Sequence, residues 1–287
     1  MFGKRLFSGI LLLVMTVVVL FLGGIPLLLV LWGISTVGFL ELTKAVGLTR
    51  PPGGINLLEC VGIGGISWVY GLQIYDCFFN ISIDVMYMLA TIVFTVIGLL
   101  FVYVLTFPKY NATQIVEVVF AFIYVPVMLS FIGFTRFLPD IGFKVVWLIW
   151  ISAWGSDTFA YCVGKVTGMF FGNHKAFPIL SPKKSIEGCL GGIIGATILG
   201  ALFGYYVMDS EVSIFVMGII CGIGSMIAQC GDLAASAIKR NYDIKDYGTC
   251  IPGHGGILDR FDSIIFTAPC IFFLIYFFLD VQSLISM

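Results

Sequence analysis

Residues 252–263 read PGHGGILDRFDS, and residues 264–279 continue as IIFTAPCIFFLIYFFL without a single charge. A helix of about 20 apolar residues spans the roughly 30 Å hydrocarbon core of a bilayer, so this run reads as a membrane span. Its first turn nevertheless carries Asp259, Arg260 and Asp262. The stretch sets the fold class, and it raises the question of why charge opens a span.

The rest of the chain agrees with the first answer. Hydrophobic residues make up 60% and charged residues 11% of the 287 positions, and the mean hydropathy is +1.08, which excludes an ordinary soluble domain. Apolar windows fall near 6–24, 26–46, 55–75, 84–107, 115–135, 142–165, 187–208, 212–238 and 260–280. The expected fold is therefore all-α, a polytopic integral membrane protein with about nine transmembrane helices. The third window is interrupted by Glu59 and the eighth carries Asp232. The first follows Lys4 and Arg5 and resembles a secretory signal, but no small-x-small cleavage site comes after it, so it reads as a retained helix.

Short cytoplasmic loops collect Lys and Arg. With the N-terminus cytoplasmic, thirteen of the fifteen basic residues fall on that side, and only Arg136 and Lys144 lie outside. An odd number of spans then puts the C-terminus outside. The net charge of −1 hides a basic cytoplasmic face suited to anionic headgroups or nucleotides. We divide the chain into residues 1–140, with about five spans, and residues 141–287, with about four spans and two cytoplasmic motif loops near 166–186 and 239–258. The eight cysteines are scattered, without a CxxC pair, and read as small packing residues. The sequons at Asn80 and Asn111 carry no weight, one lying in a short membrane-hugging loop and the other in a cytoplasmic one. Gly188, Gly192, Ala196, Gly200 and Gly204 repeat every fourth residue, a stripe that admits a close helix neighbour.

An ionisable group at mid-bilayer costs about 2.5–3.5 kcal/mol even on the lenient scale, so acids inside spans need a reason. Asp157 precedes Lys165 by eight residues, about 12 Å along a helix, with Tyr161 and Lys165 on its face. Asp232 precedes Lys239 by seven residues, about 10 Å, and shares a face with Ser236, Lys239 and Arg240. Asp259 and Asp262 share a face of the last span's first turn. All-oxygen ligands on three helices suit a hard cation such as Mg²⁺. Capping of the helix N-terminus is the competing reading for Asp259 and Asp262. In the first loop, SPKKSIEG (181–188) sets Lys183 and Lys184 beside Ser185 at a helix start, either an anion site or a determinant of topology.

The segment from Ser236 to Asp262, SAIKRNYDIKDYGTCIPGHGGILDRFD, resembles the signature of CDP-diacylglycerol synthases, also called phosphatidate cytidylyltransferases. The matching positions are Ser236, Ile238, Lys239, Arg240, Lys245, Asp246, Gly248, Ile251, Pro252, His254, Gly255, Gly256, Ile257, Asp259, Arg260, Phe261 and Asp262. The resemblance extends back through GDLAAS, SPKKSIEG and SDTFAYCVGK, with one departure at Ile186, where an aromatic residue is usual. It implies transfer of a cytidylyl group from CTP to phosphatidic acid, in a multi-pass protein of the inner or plasma membrane, or of the endoplasmic reticulum in a eukaryote. The active site would face the cytoplasm.

On this resemblance Asp232, Asp259, Asp262, Lys239 and Arg260 are the expected catalytic residues. Asp232, Asp259, Asp262 and Asp157 would bind one or two Mg²⁺ ions. Lys183, Lys184, Ser181, Ser185, Arg240, Lys245, His254, Gly255 and Gly256 would contact CTP and phosphate, with a loop-bracing hydrogen bond the alternative for His254. The partners implied are CTP, phosphatidic acid and membrane lipids, with no nucleic acid, and a homodimer as the assembly. The rival activities are a CTP-dependent polyprenol or phytol kinase, a cytidylyltransferase acting on an archaeol-type ether lipid, and a transporter. A P-loop enzyme is excluded because GxxxxGK[ST] is missing from the sequence. Asp259 and Asp262, three residues apart without a longer aspartate array, exclude a CDP-alcohol phosphotransferase.

Overall fold

The computed structural model describes residues 2–51, 54–79, 85–170, 172, 174–208, 213–251 and 255–279. The helices are α1 (Phe2–Leu22), α2 (Gly24–Ala45), α3 (Leu57–Phe79), α4 (Val85–Thr106), α5 (Ala112–Phe122), α6 (Met128–Arg136), α7 (Gly142–Val145), α8 (Trp147–Trp150), α9 (Ser156–Phe170), α10 (Ile186–Val207), α11 (Ile214–Asn241) and α12 (Leu258–Phe278). A π turn over Ile123–Val127 joins α5 to α6, and another over Ile151–Gly155 joins α8 to α9. Strands β1 (Lys175–Phe177) and β2 (Ser181–Ser185) pair antiparallel between α9 and α10.

Helix occupies each of the nine expected windows, and among the described residues seven helices are long and apolar enough to cross a membrane. The two that fall short have different causes. In the first window the apolar described part is Gly9–Leu22. The sixth is cut into α7, α8, a π turn and α9, because an extra residue in a turn breaks the regular hydrogen-bond ladder. In the fifth window Pro126, which has no N–H to donate, sits inside the other π turn, yet Ala112–Arg136 continues as one span. The first motif loop carries regular structure: α9 runs on to Phe170, and the β1–β2 hairpin fills 175–185, with Pro178 at its turn unable to extend a helix.

The chain forms two compact units. The first comprises Met1–Gly133 with Tyr242–Arg260, and the second Phe134–Asn241 with Phe261–Met287. The expected cut at 140 followed the spans, whereas the compact units separate at 133/134 and assign the second motif loop to the N-terminal unit.

In the first unit, α2 packs on α3 through Phe39, which fills the space left by Gly62, and through a 2.7 Å hydrogen bond between Ser35 and Tyr70. Asn111 starts α5 with a capping box: its side chain accepts from Gln114 N at 2.8 Å, and Gln114 Oε1 accepts from Asn111 N at 3.1 Å. A buried carboxylate, Glu59, joins α2 to α3. It accepts from Thr43 Oγ1 at 2.5 Å, from Asn56 N at 2.8 Å and from the Arg50 guanidinium, whose Nη2 also donates to Leu40 O at 2.6 Å.

In the second unit, α10 lies between α9 and α11. The small-residue stripe is the reason it fits: a Cβ at Gly188 would lie 2.9 Å from Ala160 O, and one at Gly192 would lie 2.9 Å from Ser156 O. On the α11 side, Gly200 faces Cys221 and Gly204 faces Met217. Close backbone approach takes the place of side-chain interlocking along this helix.

Candidate active site

Helices α9, α11 and α12 and strand β2 of the second unit bring charge together. Asp157 stands in the first turn of α9, directly after the π turn, and Asp232 lies in α11 above its basic end. Lys184 Nζ of β2 is 2.6 Å from Asp232 Oδ2, an ion pair without the angles of a hydrogen bond. Asp157 and Asp262 each feel the charge of Asp232; Lys184 acts on Asp157 and Lys239 on Asp262. Asp262 Oδ1 accepts from Ser263 N at 2.8 Å. Three carboxylates and two lysines thus share one neighbourhood.

A buried polar tie fixes the backbones beneath them. Ser225 Oγ donates to Ser156 Oγ at 2.7 Å, and Gln229 Nε2 bridges Ser156 Oγ and Cys189 O at 3.1 Å each. It joins α9, α10 and α11 one residue before Asp157 and three before Asp232. The sequence reading missed both Ser156 and Gln229; a glutamine inside an apolar span was the available signal. An apolar groove of about 380 Å³ in the same unit is lined by Trp147, Trp150, Trp154, Gly155, Thr158 and Phe203.

The remaining residues of the first loop divide by role. Ser185 caps α10, accepting from Gly188 N at 3.1 Å, so its hydroxyl serves the helix start. Ser181 opens β2 opposite Phe177, and Lys183 is exposed. His174 Nδ1 lies 2.6 Å from Glu187 Oε1, tying the approach to β1 onto α10. Lys239 and Arg240 occupy the last turn of α11, where cations offset the helix's C-terminal carbonyls.

In the first unit, the second loop is organised around two acids. Asp259 Oδ2 accepts from Tyr247 N at 2.8 Å and from Gly256 N at 3.0 Å, closing the loop onto the start of α12. Ile251 N donates to Gly255 O at 2.9 Å, and Gly255 has φ +85°, a left-handed conformation that glycine adopts without strain. Arg260 and Lys245 are exposed. His254 lies outside the described residues. The other acid is Glu41 of α2, which accepts from Ile257 N at 3.1 Å and Leu258 N at 2.9 Å. Sequence reasoning missed Glu41 as well. It is an acid within an apolar helix, the same signal that picked out Asp157 and Asp232.

The donor set can be weighed against the expected cation. Among the described residues no three carboxylate, imidazole or thiol groups are gathered into a ready-made cage. The donors on offer in the second unit are the oxygens of three carboxyl groups, set against two lysines, and oxygen donors are the kind a hard cation takes. Asp259 would have to combine any metal role with the bracing of its loop.

Residues 3–278 match the cytidylyltransferase family. A phosphatidate cytidylyltransferase of Bacillus subtilis is 31% identical over 277 residues, covering 96% of this chain and 98% of the relative. Proteins of the same name from Staphylococcus saprophyticus and Staphylococcus epidermidis are 40% and 39% identical over 128 and 140 residues, covering 45% and 48% of this chain and 47% and 52% of theirs.

Proposed function

The chain belongs to the cytidylyltransferase family and is a nucleotidyltransferase, and from that premise we propose that it converts CTP and phosphatidic acid to CDP-diacylglycerol and pyrophosphate. The observation that carries the reading is the grouping of Asp157, Asp232 and Asp262 with Lys184 and Lys239 in the second unit. A phosphate-bearing substrate with a divalent cation answers that charge pattern, and the apolar groove lined by Trp147, Trp150, Trp154 and Phe203 suits an acyl chain of a lipid.

In the proposed reaction a non-bridging oxygen of the lipid phosphate attacks the α-phosphorus of CTP. A new P–O–P bond forms, the bond from the α-phosphorus to the oxygen bridging to the β-phosphorus breaks, and its electron pair leaves on pyrophosphate. The nucleophile is already an anion, so no side chain has to remove a proton. Catalysis is positioning and charge neutralisation. Lys184, Lys239 and Arg260 are assigned to phosphate oxygens, with Lys183, Arg240 and Lys245 at the basic approach. Asp232 and Asp262, with Asp157, would hold Mg²⁺; when bound, the ion supplies positive charge at the phosphates. For Asp259, which braces its loop, a metal role is proposed on the resemblance alone. Ser181, Gly255, Gly256 and His254 belong to the nucleotide side of the proposal. The cytoplasmic face and the homodimer remain part of the proposal, the first supported by the basic loops and the second by the resemblance.

The test follows which phosphorus moves. With CTP labelled at the α-phosphorus, label enters the chloroform-soluble product only when phosphatidic acid is present, and γ-label leaves as pyrophosphate. Labelled pyrophosphate does not exchange into CTP without lipid, because no nucleotidyl-enzyme forms. Label from the γ-position in the lipid phase with an alcohol acceptor overturns the reading in favour of a lipid kinase.

A further inference from the structure

Glu41 is a buried acid, 9% exposed, in the last turns of a helix that the reaction scheme does not use. Both of its oxygens are spent on backbone amides of another segment more than 200 residues away, Oε1 on Ile257 N and Oε2 on Leu258 N. Leu258 is the first residue of α12, so the acid sits where the helix's positive end favours an anion. Asp259 takes the amides of Tyr247 and Gly256 in the same loop. Two carboxylates therefore fix four amides between 247 and 258.

Glycines 248 and 256 acquire a reason from this contact. A Cβ at Gly248 would run into Oε1 and Cδ of Glu41, and one at Gly256 would meet both oxygens. The resemblance gave Gly256 to contact with CTP and phosphate; in the structure the group that approaches it is the Glu41 carboxylate. The acid is itself held. Leu40 O on one side of it accepts from Arg50, and Thr43 on the other donates to Glu59, the partner of Arg50.

We propose that Glu41 is a positioning residue for the reaction: it sets the backbone at Ile257 and Leu258, and with it the start of α12 that carries Asp259 and Arg260, while the Arg50–Glu59 pair holds Glu41 in place. This rests on the second loop serving cytidylyl transfer. It gives the N-terminal spans a task, that of presenting one carboxylate to the motif loop.

The experiment uses the full chain in lipid nanodiscs. Glu41→Gln keeps the side chain's size but turns an N–H donor toward an amide N–H, so hydrogen exchange at residues 256–258 should rise about tenfold or more, with α10 unchanged. In the same preparation kcat for cytidylyl transfer should fall about 10- to 100-fold with KM for CTP within about threefold. Glu41→Asp should recover part of the rate. Gly248→Ala should reproduce the loss, and Glu41→Asp in that background should improve on Gly248→Ala alone, because the shorter acid yields room to the methyl. Three results overturn the proposal: wild-type exchange at 256–258 in Glu41→Gln, exchange raised equally throughout the protein, or double-variant rates that merely multiply. A wild-type protein with no cytidylyl transfer would instead refute the reaction and leave the exchange result to judge the contact.

Discussion

Neutralising any one aspartate of the second unit leaves a lysine facing the wrong environment. In Asp232→Asn, Lys184 loses the oxyanion 2.6 Å away, and the proposed cation loses a ligand. Asp232→Asn, Asp259→Asn and Asp262→Asn are each expected to lower kcat by about 100-fold or more while the protein still assembles, measured as CTP-dependent lipid labelling against the amount of folded protein. Chelation of divalent cations should abolish activity and Mg²⁺ should restore it; activity that survives chelation sinks the metal assignment. Lys109→Ala, in a side chain that lies 5.3 Å from the Tyr110 ring and far in sequence from both motif loops, should be nearly silent. Asp157 and Asp232 were legible in the sequence because a charge inside an apolar run is costly. The role of Asp259 was only half legible: its charge was visible, but its amide partners, Tyr247 and Gly256, depend on a loop conformation that spacing does not encode.

Among the elements, α10 tests packing and the caps test local structure. Gly192→Ala sets a methyl against Ser156 O and Gln229 Nε2 and should cost about 1–3 kcal/mol by overpacking, seen as a lower unfolding temperature in detergent. Ser185→Ala, which removes the α10 cap, should cost about 1 kcal/mol and leave the reaction's lipid selectivity intact; a change in selectivity would make Ser185 a substrate contact. Hydropathy located the helices because desolvation of the backbone dictates them. It was blind to the two π turns and to the β1–β2 hairpin, because each comes from local ladder geometry in a handful of residues.

For the whole molecule, the thirteen-to-two division of basic residues predicts nine spans with the N-terminus inside and the C-terminus outside. Reporter fusions after Met287 should read as external and fusions in the loop holding Lys183 as cytoplasmic; the reverse at either point breaks the arrangement. The sequence made the motif loops conspicuous, but their assignment to different compact units depends on long-range contacts such as Glu41 with Leu258, which no local pattern announces. The glycine-lined α10 has its own consequence for genetics. A growth-based scan of every substitution would show this helix as intolerant as the aspartates, since even alanine at Gly191 drives a methyl into Val163. Intolerance by itself will therefore misdirect a search for catalytic groups, and the two kinds of position separate only when the quantity of protein in the membrane is read beside the phenotype: depleted for the glycines, normal for the acids.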